Sequence, residues 1–437
     1  MKKEQKLVVI GGGSSYTPEI IEGIIRKGST LSIKNVVLVD IPEAGAMERT
    51  AIVAELGRRM VRRAGINCSI SLTDNRREAL QNADFVISQL RVGQMHARAL
   101  DELTGIELNI LGQETTGVGG FLNALRTIPV ALQIAEEIKE ICPEAWLINF
   151  TNPAGIITQA IHNYSNIRCI GLCNVPINMQ HDIANAIGVN DSEIRCEFAG
   201  LNHLSYVIST VFNGSEVLSE VINSITNHLT KMKNIPQVSG SDQLIKDIGI
   251  LPSPYLQYYY FEKEMLEKQQ EEYTLNHKTR ANIVEEVNHT LFKKYANPDI
   301  DIKPPELSER GGSLYSQAAF NVMEALVSNE PTELTINYPN NGKMPQMECA
   351  DVIEANFLIS NKGIEPSREV YLPTHAIGLV RQIKCFEQIA IRAAVEHSRS
   401  LALQAMLAHP LLHGYANARA VLDIMATRYK NLIHPLG

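Results

Sequence analysis

Apolar runs of four to six residues, each closed by glycine or a polar cluster, alternate with longer stretches of helical spacing through the first 170 or so positions. Residues 7–10 (LVVI) run into Gly11-Gly12-Gly13, and residues 18–27 carry helical spacing with Thr17 as N-cap and Pro18 in the first turn. Residues 36–40 (VVLVD) form a second apolar run that ends on an acid, and residues 43–64 return to helical spacing. Further buried-strand patterns fall at 69–72, 85–88, 145–150 and 168–172. Apolar strands alternating with helices predict a parallel sheet covered on both faces, hence an α/β fold.

After about residue 174 the pattern changes. Residues 201–214 (LNHLSYVISTVFNG) predict a strand and turn, and 257–272 and 279–295 predict helices with a highly charged face. Residues 338–347 (YPNNGKMPQM) are turn-rich, and 384–408 predict one long amphipathic helix ending before Pro410. Two domains are expected, 1–174 binding a nucleotide and 175–437 completing the site. The apolar C-terminal helix suggests a homodimer or homotetramer.

Composition narrows the class. The chain has 437 residues with 48 acidic side chains against 40 Lys and Arg, a formal charge of −8, which argues against a bulk nucleic-acid binder. The apolar part of the N-terminus is too short for a secretory signal, and no run of about 18 apolar residues predicts a membrane span. Seven scattered cysteines make no disulfide framework, so a reduced cytoplasm is expected.

A strand, closely spaced glycines and a helix start place backbone N–H groups around an anion. Gly11 and Gly13 supply the tight turn and the close phosphate approach, and Ser14, Ser15 and Thr17 add hydroxyl donors. Tyr16 stands where a dinucleotide fingerprint has its third glycine. It implies looser helix–strand packing or a side chain with another task. Asp40, at the end of the second strand, suits a ribose diol and would repel a 2′-phosphate, so NAD is preferred to NADP. A glycine-rich turn of no nucleotide function is the plainer alternative.

Polar residues cluster after the predicted strands, where an open parallel sheet forms its ligand crevice. Arg91 and Arg98 lie in RVGQMHAR, Glu114 in GQETTGVGG, Asn152 in NFTNPAG, and Cys173 and Asn174 in GLCNVP. Cys173 and His203, 30 residues apart, are a candidate metal pair, but on the residues alone a buried cysteine and a core histidine is the plainer reading. Tyr255 follows two prolines in ILPSPYLQYYY; a phenol is a poor base unless a nearby cation stabilises its anion. Tyr258, Tyr259 and Tyr260 are read as packing residues. Arg280 and Arg310 could each bind an anion or cover a helix surface. No convincing facing pair of carboxylates for ordinary glycoside hydrolysis is visible.

Together VVIGGGSSYTPEI, RVGQMHAR, GQETTGVGG, NFTNPAG, GLCNVP and GLNHLSY resemble glycoside hydrolase family 4, and LPSPYLQYY, TRANIVEEV, RGGSLYS and SRSLALQAMLAHPL extend the likeness to about residue 412. The resemblance implies a Rossmann-type NAD-binding domain with an α/β second domain, as in lactate and malate dehydrogenases. It also implies NAD and a divalent metal, typically Mn²⁺. By that family's mechanism NAD⁺ oxidises C3 of the sugar, a tyrosine removes the acidified C2 proton, the group at C1 is eliminated, water adds, and NADH reduces C3 again.

Carried over residue by residue, the resemblance makes Cys173 and His203 the metal ligands, Tyr255 the base and Glu114 a residue that raises its basicity. Arg91, Arg98, Asn152 and Arg280 match substrate-contacting positions, and Asn202 would orient the ligands. The stretch CNVP resembles the 6-phospho-β-glucosidases, whereas CDMP marks the α subgroup. Asn174 cannot donate a proton as an aspartic acid could, so the leaving group would be protonated otherwise, through water. The expected substrates are phosphorylated β-glucosides such as cellobiose 6-phosphate. The alternatives are a 6-phospho-α-glucosidase and an NAD-dependent 2-hydroxyacid dehydrogenase.

Overall fold

The computed structural model describes residues 4–27, 30–43, 45–225, 238–310 and 314–437. The six expected strands form: β1 (Gln5–Ile10), β2 (Ile33–Val39), β3 (Ser69–Thr73), β4 (Phe85–Ser88), β5 (Trp146–Asn149) and β6 (Arg168–Gly171). They pair in parallel in the order β3-β2-β1-β4-β5-β6. The order reverses on either side of β1, so the carboxyl ends of β1 and β4 open a crevice there. Val8 and Val9 of β1 and Val86 and Ile87 of β4 are wholly buried, which explains why these strands read as continuous apolar runs.

The second half adds β7 (Ile194–Leu201), β8 (Leu204–Phe212), β9 (Ser215–Glu216) and β10 (Leu251–Pro252), which make a small antiparallel sheet. It also returns three strands to the first sheet: β11 (Thr332–Pro339), β12 (Val352–Ser360) and β13 (Gly363–Pro366) extend it beyond β6 in antiparallel sense. The nine-stranded sheet therefore runs across the boundary expected near residue 174. Gly171 makes the junction possible: a Cβ there would lie 2.3 Å from Thr158 Oγ1 and 2.9 Å from the Cβ of Asn337.

Helix Gly117–Ile141 is the central helix. By length and composition it is apolar enough to cross a membrane, but 78% of its most apolar window is buried inside the protein. It carries Asn123 and Arg126 inward, and Arg126 forks onto Asp101 at 2.9 and 2.6 Å. The predicted single helix over 384–408 is two, Thr374–Val395 and Arg399–Ala408. Between them His397 takes φ 51°, and Ser398 caps the second helix by accepting from Leu401 N–H at 3.2 Å. The apolar stripe of Thr374–Val395 is buried within the chain, Ala376, Val380, Ala390 and Ile391 all at 0% exposure, which removes the reason it gave for expecting an oligomer.

Candidate active site

The glycine loop follows β1 as expected. Gly11 has φ 82°, and a Cβ on it would meet the backbone of Leu90 at 2.9 Å. Gly13 donates its N–H to Asp40 Oδ2 at 2.9 Å, and Ile41 N–H takes Oδ1 at 3.0 Å. Asp40 thus anchors the loop while still lining the crevice, with lone-pair sites left for a ribose hydroxyl. Thr17 does not face the crevice. Its buried hydroxyl donates to Gly12 O at 2.8 Å and accepts from Gln89 Nε2 at 2.7 Å, so it braces the turn from inside.

Tyr16 has a task of its own. Its ring stacks on Tyr315 with centroids 5.4 Å apart, and Tyr315 packs on Phe150 at 3.9 Å. These rings wall a cavity of about 660 Å³ whose lining includes Gly11, Gly13, Ser14, Ser15, Asp40, Arg91 and Asn152. Ser15 is tied across it, donating to Asn288 Oδ1 at 3.1 Å, while its carbonyl accepts from Tyr295 O–H at 2.8 Å. A larger open groove, about 1670 Å³, lies at the amino ends of the strands between Lys6, Asn35, Trp146 and Arg168 and holds none of the expected site residues.

Beyond Arg91 the remaining site residues form a packed cluster. Cys173 follows β6, and His203 sits in the tight β7–β8 turn with φ 62°. That turn brings His203 Nε2 to 3.4 Å from Cys173 Sγ. The far side of the imidazole, Nδ1, lies 2.8 Å from Thr115 Oγ1. Thr115 gives its N–H and its hydroxyl proton to Gln113 Oε1 at 2.7 and 2.8 Å. Its oxygen must then accept from Nδ1–H, which leaves the lone pair of His203 on Nε2, facing the sulfur.

Burial holds the imidazole neutral, its pKa lowered to about 4. Burial and the nearby Glu354 push the Cys173 thiol up to about 12, against hydrogen bonds from Val175 N–H, Asn202 and Asn174 N–H. A thiol and an unprotonated imidazole nitrogen converging on one point are a donor pair for a metal ion, whose charge would release the thiol proton. Among the described residues no third His, Cys, Asp or Glu joins such a group, so most coordination positions are left to substrate oxygens. Asn174 is the N-cap of helix Val175–Ile187, its carbonyl accepting from Asn178 N–H at 3.1 Å.

Tyr255 lies flat on His203, ring centroids 3.7 Å apart. Burial pushes its phenol well above the ordinary value; Cys173, Tyr258 and Glu114 push the same way and Arg98 opposes them. Tyr258 is buried beside it, Tyr259 stacks on His409, and Tyr260 O–H meets Tyr206 O–H at 2.6 Å, so three of the four tyrosines are packing residues as read.

Two acids near Tyr255 are held by arginines. Glu114 pairs with Arg91 through one oxygen and with Arg98 Nη1 at 2.8 Å through the other. Arg98 Nε reaches Glu102 Oε1 at 2.8 Å, and Glu102 Oε2 accepts from Ala281 N–H at 2.7 Å at the start of helix Arg280–Ala296. Neither carboxylate is poised as a glycosidase acid or nucleophile. Arg280 opens that helix with its Nε buried and, among the described residues, without a hydrogen-bond partner. The side chain of Arg310 and residues 311–313 of RGGSLYS lie outside the described residues.

Two residues at this site were not singled out from the sequence. Thr115 stands inside GQETTGVGG without a signal of its own. Glu354 has one in retrospect, being a carboxylate at a buried position of the apolar strand β12. It accepts from Asn202 Nδ2 at 3.0 Å, Ser205 Oγ at 2.7 Å and Asn337 Nδ2 at 3.2 Å.

Comparison with known proteins identifies the family. Residues 6–189 match the family 4 glycosyl hydrolase model and residues 198–412 match the family 4 glycosyl hydrolase C-terminal domain. The chain is 42% identical over 434 residues to a probable 6-phospho-beta-glucosidase of Bacillus subtilis, covering 98% of this chain and 97% of that one. A 6-phospho-alpha-glucosidase of Lacticaseibacillus paracasei is 24% identical over 442 residues, covering 97% of each chain. The structure superposes with TM-score 0.89 at 31% identity, covering 99% of this chain and 100% of the other, on the 6-phospho-beta glucosidase of Thermotoga maritima solved with manganese, NAD⁺ and glucose-6-phosphate. Lactate dehydrogenase from Eimeria maxima, 15% identical with TM-score 0.56 over 91% of this chain and 96% of that one, shares the fold. Matches that run over nearly the whole chain show that the chain belongs to glycosyl hydrolase family 4.

Proposed function

We propose that this chain hydrolyses 6-phospho-β-glucosides by transient oxidation and elimination, with NAD and a divalent metal, Mn²⁺ or a close substitute. The observation that carries the reading is the convergence of Cys173 Sγ, His203 Nε2 and the Tyr255 ring at the inner end of the nucleotide crevice. When bound, NAD⁺ exchanges hydride with C3 of the sugar, and the metal carries charge on O2 and O3 and lowers the proton affinity of the neighbouring phenol.

The chain's own residues do the rest. Gly11, Gly13, Ser14, Ser15 and Asp40 hold the dinucleotide, and Tyr16 with Tyr315 closes over it. Cys173 and His203 hold the metal, with the imidazole tautomer fixed by Thr115. Tyr255 takes the C2 proton. Its oxygen is positioned by stacking on His203, and its surroundings are balanced by Arg98 against Glu114. Arg91, Arg98, Asn152 and Arg280 surround the phosphorylated sugar, with the unsatisfied Nε of Arg280 a natural phosphate contact. Asn174 stays neutral in the reaction and the leaving group is protonated through water.

The substrate is a soluble phosphorylated disaccharide or β-glucoside, and the chain works in the cytoplasm. The β assignment is supported by 42% identity to a relative named for the β activity against 24% to one named for the α activity, together with Asn174 in CNVP. The test is p-nitrophenyl β-glucoside 6-phosphate with NAD⁺, Mn²⁺ and thiol. Release of nitrophenol without net accumulation of NADH is expected. Release from the α-anomer alone overturns the subgroup, and stoichiometric NADH with no release returns the chain to the dehydrogenases.

A further inference from the structure

Glu354 is buried, 1% exposed, in β12, yet among the described residues no cation pairs with it. Its partners are neutral: two amide groups on Oε2 and a hydroxyl on Oε1. Several other buried acids in this protein sit on a base, while Glu19 and Asp351 are bonded to neutral donors. Glu197 has Lys343 at 2.7 Å, Asp101 has Arg126, and Glu387 has Lys384 at 2.5 Å. An ionised carboxylate in a low-dielectric interior is costly without a compensating charge. Glu354 also reaches the candidate metal pair in two ways. Its field acts on the Cys173 thiol, and Asn202, which donates to Glu354, also hydrogen-bonds the Cys173 sulfur.

We propose that Glu354 is a positioning and charge-balancing residue of the metal centre. It supplies, from behind Asn202, the second negative charge that together with the Cys173 thiolate neutralises a divalent cation. The inference rests on the reading of Cys173 and His203 as metal ligands. Its content is specific: a site with one thiolate, one neutral imidazole and one buried carboxylate is neutral only with a +2 ion. The chain then prefers a dication over a monovalent one through a residue that never touches the metal. The three hydrogen bonds fix the carboxylate so that it aims Asn202 at the sulfur.

The geometry offers a clean separation of charge from shape. In Glu354→Gln the amide oxygen can still accept from Asn202 and Asn337, and the new N–H can donate to Ser205, whose hydroxyl turns to accept. Only the charge is lost. Glu354→Asp keeps the charge and shortens the reach.

Mn²⁺ binding is measured on the full chain by electron paramagnetic resonance of the free ion, without substrate, with melting temperature recorded in metal-free buffer. Glu354→Gln is expected to weaken Mn²⁺ binding tenfold to a hundredfold. Its metal-free melting temperature should be unchanged or higher, because burial disfavours the Glu354 anion and the amide carries no charge. Glu354→Asp is expected to bind Mn²⁺ more tightly than Glu354→Gln. Wild-type affinity in Glu354→Gln, Glu354→Asp no tighter than Glu354→Gln, or a metal-free Glu354→Gln protein that does not fold would each overturn the proposal. A wild-type chain that binds no Mn²⁺ would instead overturn the metal reading beneath it.

Discussion

The imidazole of His203 lies parallel to the phenol ring of Tyr255, 4° from coplanar and 3.7 Å between centroids. A ligand of the proposed metal and the proposed base therefore pack face to face, which ties the position of one to the other. The protein alone makes Tyr255 a very weak acid, because burial and the surrounding acids all oppose its anion. Tyr255→Phe keeps the stack and removes the base. Turnover of a 6-phospho-β-glucoside should fall by a factor of 10² to 10⁴. Exchange of the C2 hydrogen with solvent deuterium should vanish with it, while Mn²⁺ affinity stays within about twofold. Retention of C2–H exchange in the variant would remove Tyr255 from the reaction.

Thr115 sets which nitrogen of His203 carries the proton. Thr115→Val keeps the shape and deletes the acceptor, so the imidazole loses the bond that keeps its lone pair on Nε2. Mn²⁺ affinity should drop about tenfold, the usual effect of losing a partner behind a ligating histidine. Calorimetric titration of the metal checks this, and an unchanged affinity would show that the tautomer is fixed by something other than Thr115.

The six parallel strands were legible because both their faces are buried, which makes them plain apolar runs. What joins β11 to β6 was not, since a single pairing between Asn337 and Gly171 is a tertiary event with no local pattern. The break at Glu396–Ser398 also escaped, because no glycine or proline marks it and a histidine takes the left-handed position. At the site, Cys173 and His203 were ambiguous from their spacing. They come together only because β6 and the β7–β8 turn meet in space. Glu354 lies 181 positions after Cys173 and was silent for the same reason.

Acid sensitivity has a definite source in buried neutral histidines. His162 Nε2 donates to Cys169 O at 3.0 Å, since a carbonyl only accepts, so Nε2 carries the proton. Burial lowers its pKa to about 4. The unfolded chain, with histidine near 6.5, then binds more protons between those two values, so the folded state loses stability as pH falls from about 6.5 to about 4. His162→Gln keeps the donor and removes the titration. Comparing pH 5 with pH 8, the denaturation free energy of the variant should fall by about 2 kcal/mol less than that of the parent. Equal losses in both proteins would contradict the assignment.

The nucleotide loop allows a sharper test than deletion of a contact. A Cβ on Gly13 would lie 2.7 Å from Thr50 Oγ1 and 3.0 Å from both Ala46 O and Asp40 Oδ2. Gly13→Ala must therefore push the loop outward, away from Asp40 and into the space a pyrophosphate would take. The Gly13 N–H bond to Asp40 is exposed to this shift, whereas the Thr17 brace on the inner side of the turn is not. NAD⁺ affinity, followed by calorimetry, should weaken at least tenfold, while the melting temperature without nucleotide falls by only a few degrees. Affinity for NAD⁺ that survives this change would mean that the dinucleotide does not lie against the β1 loop at all.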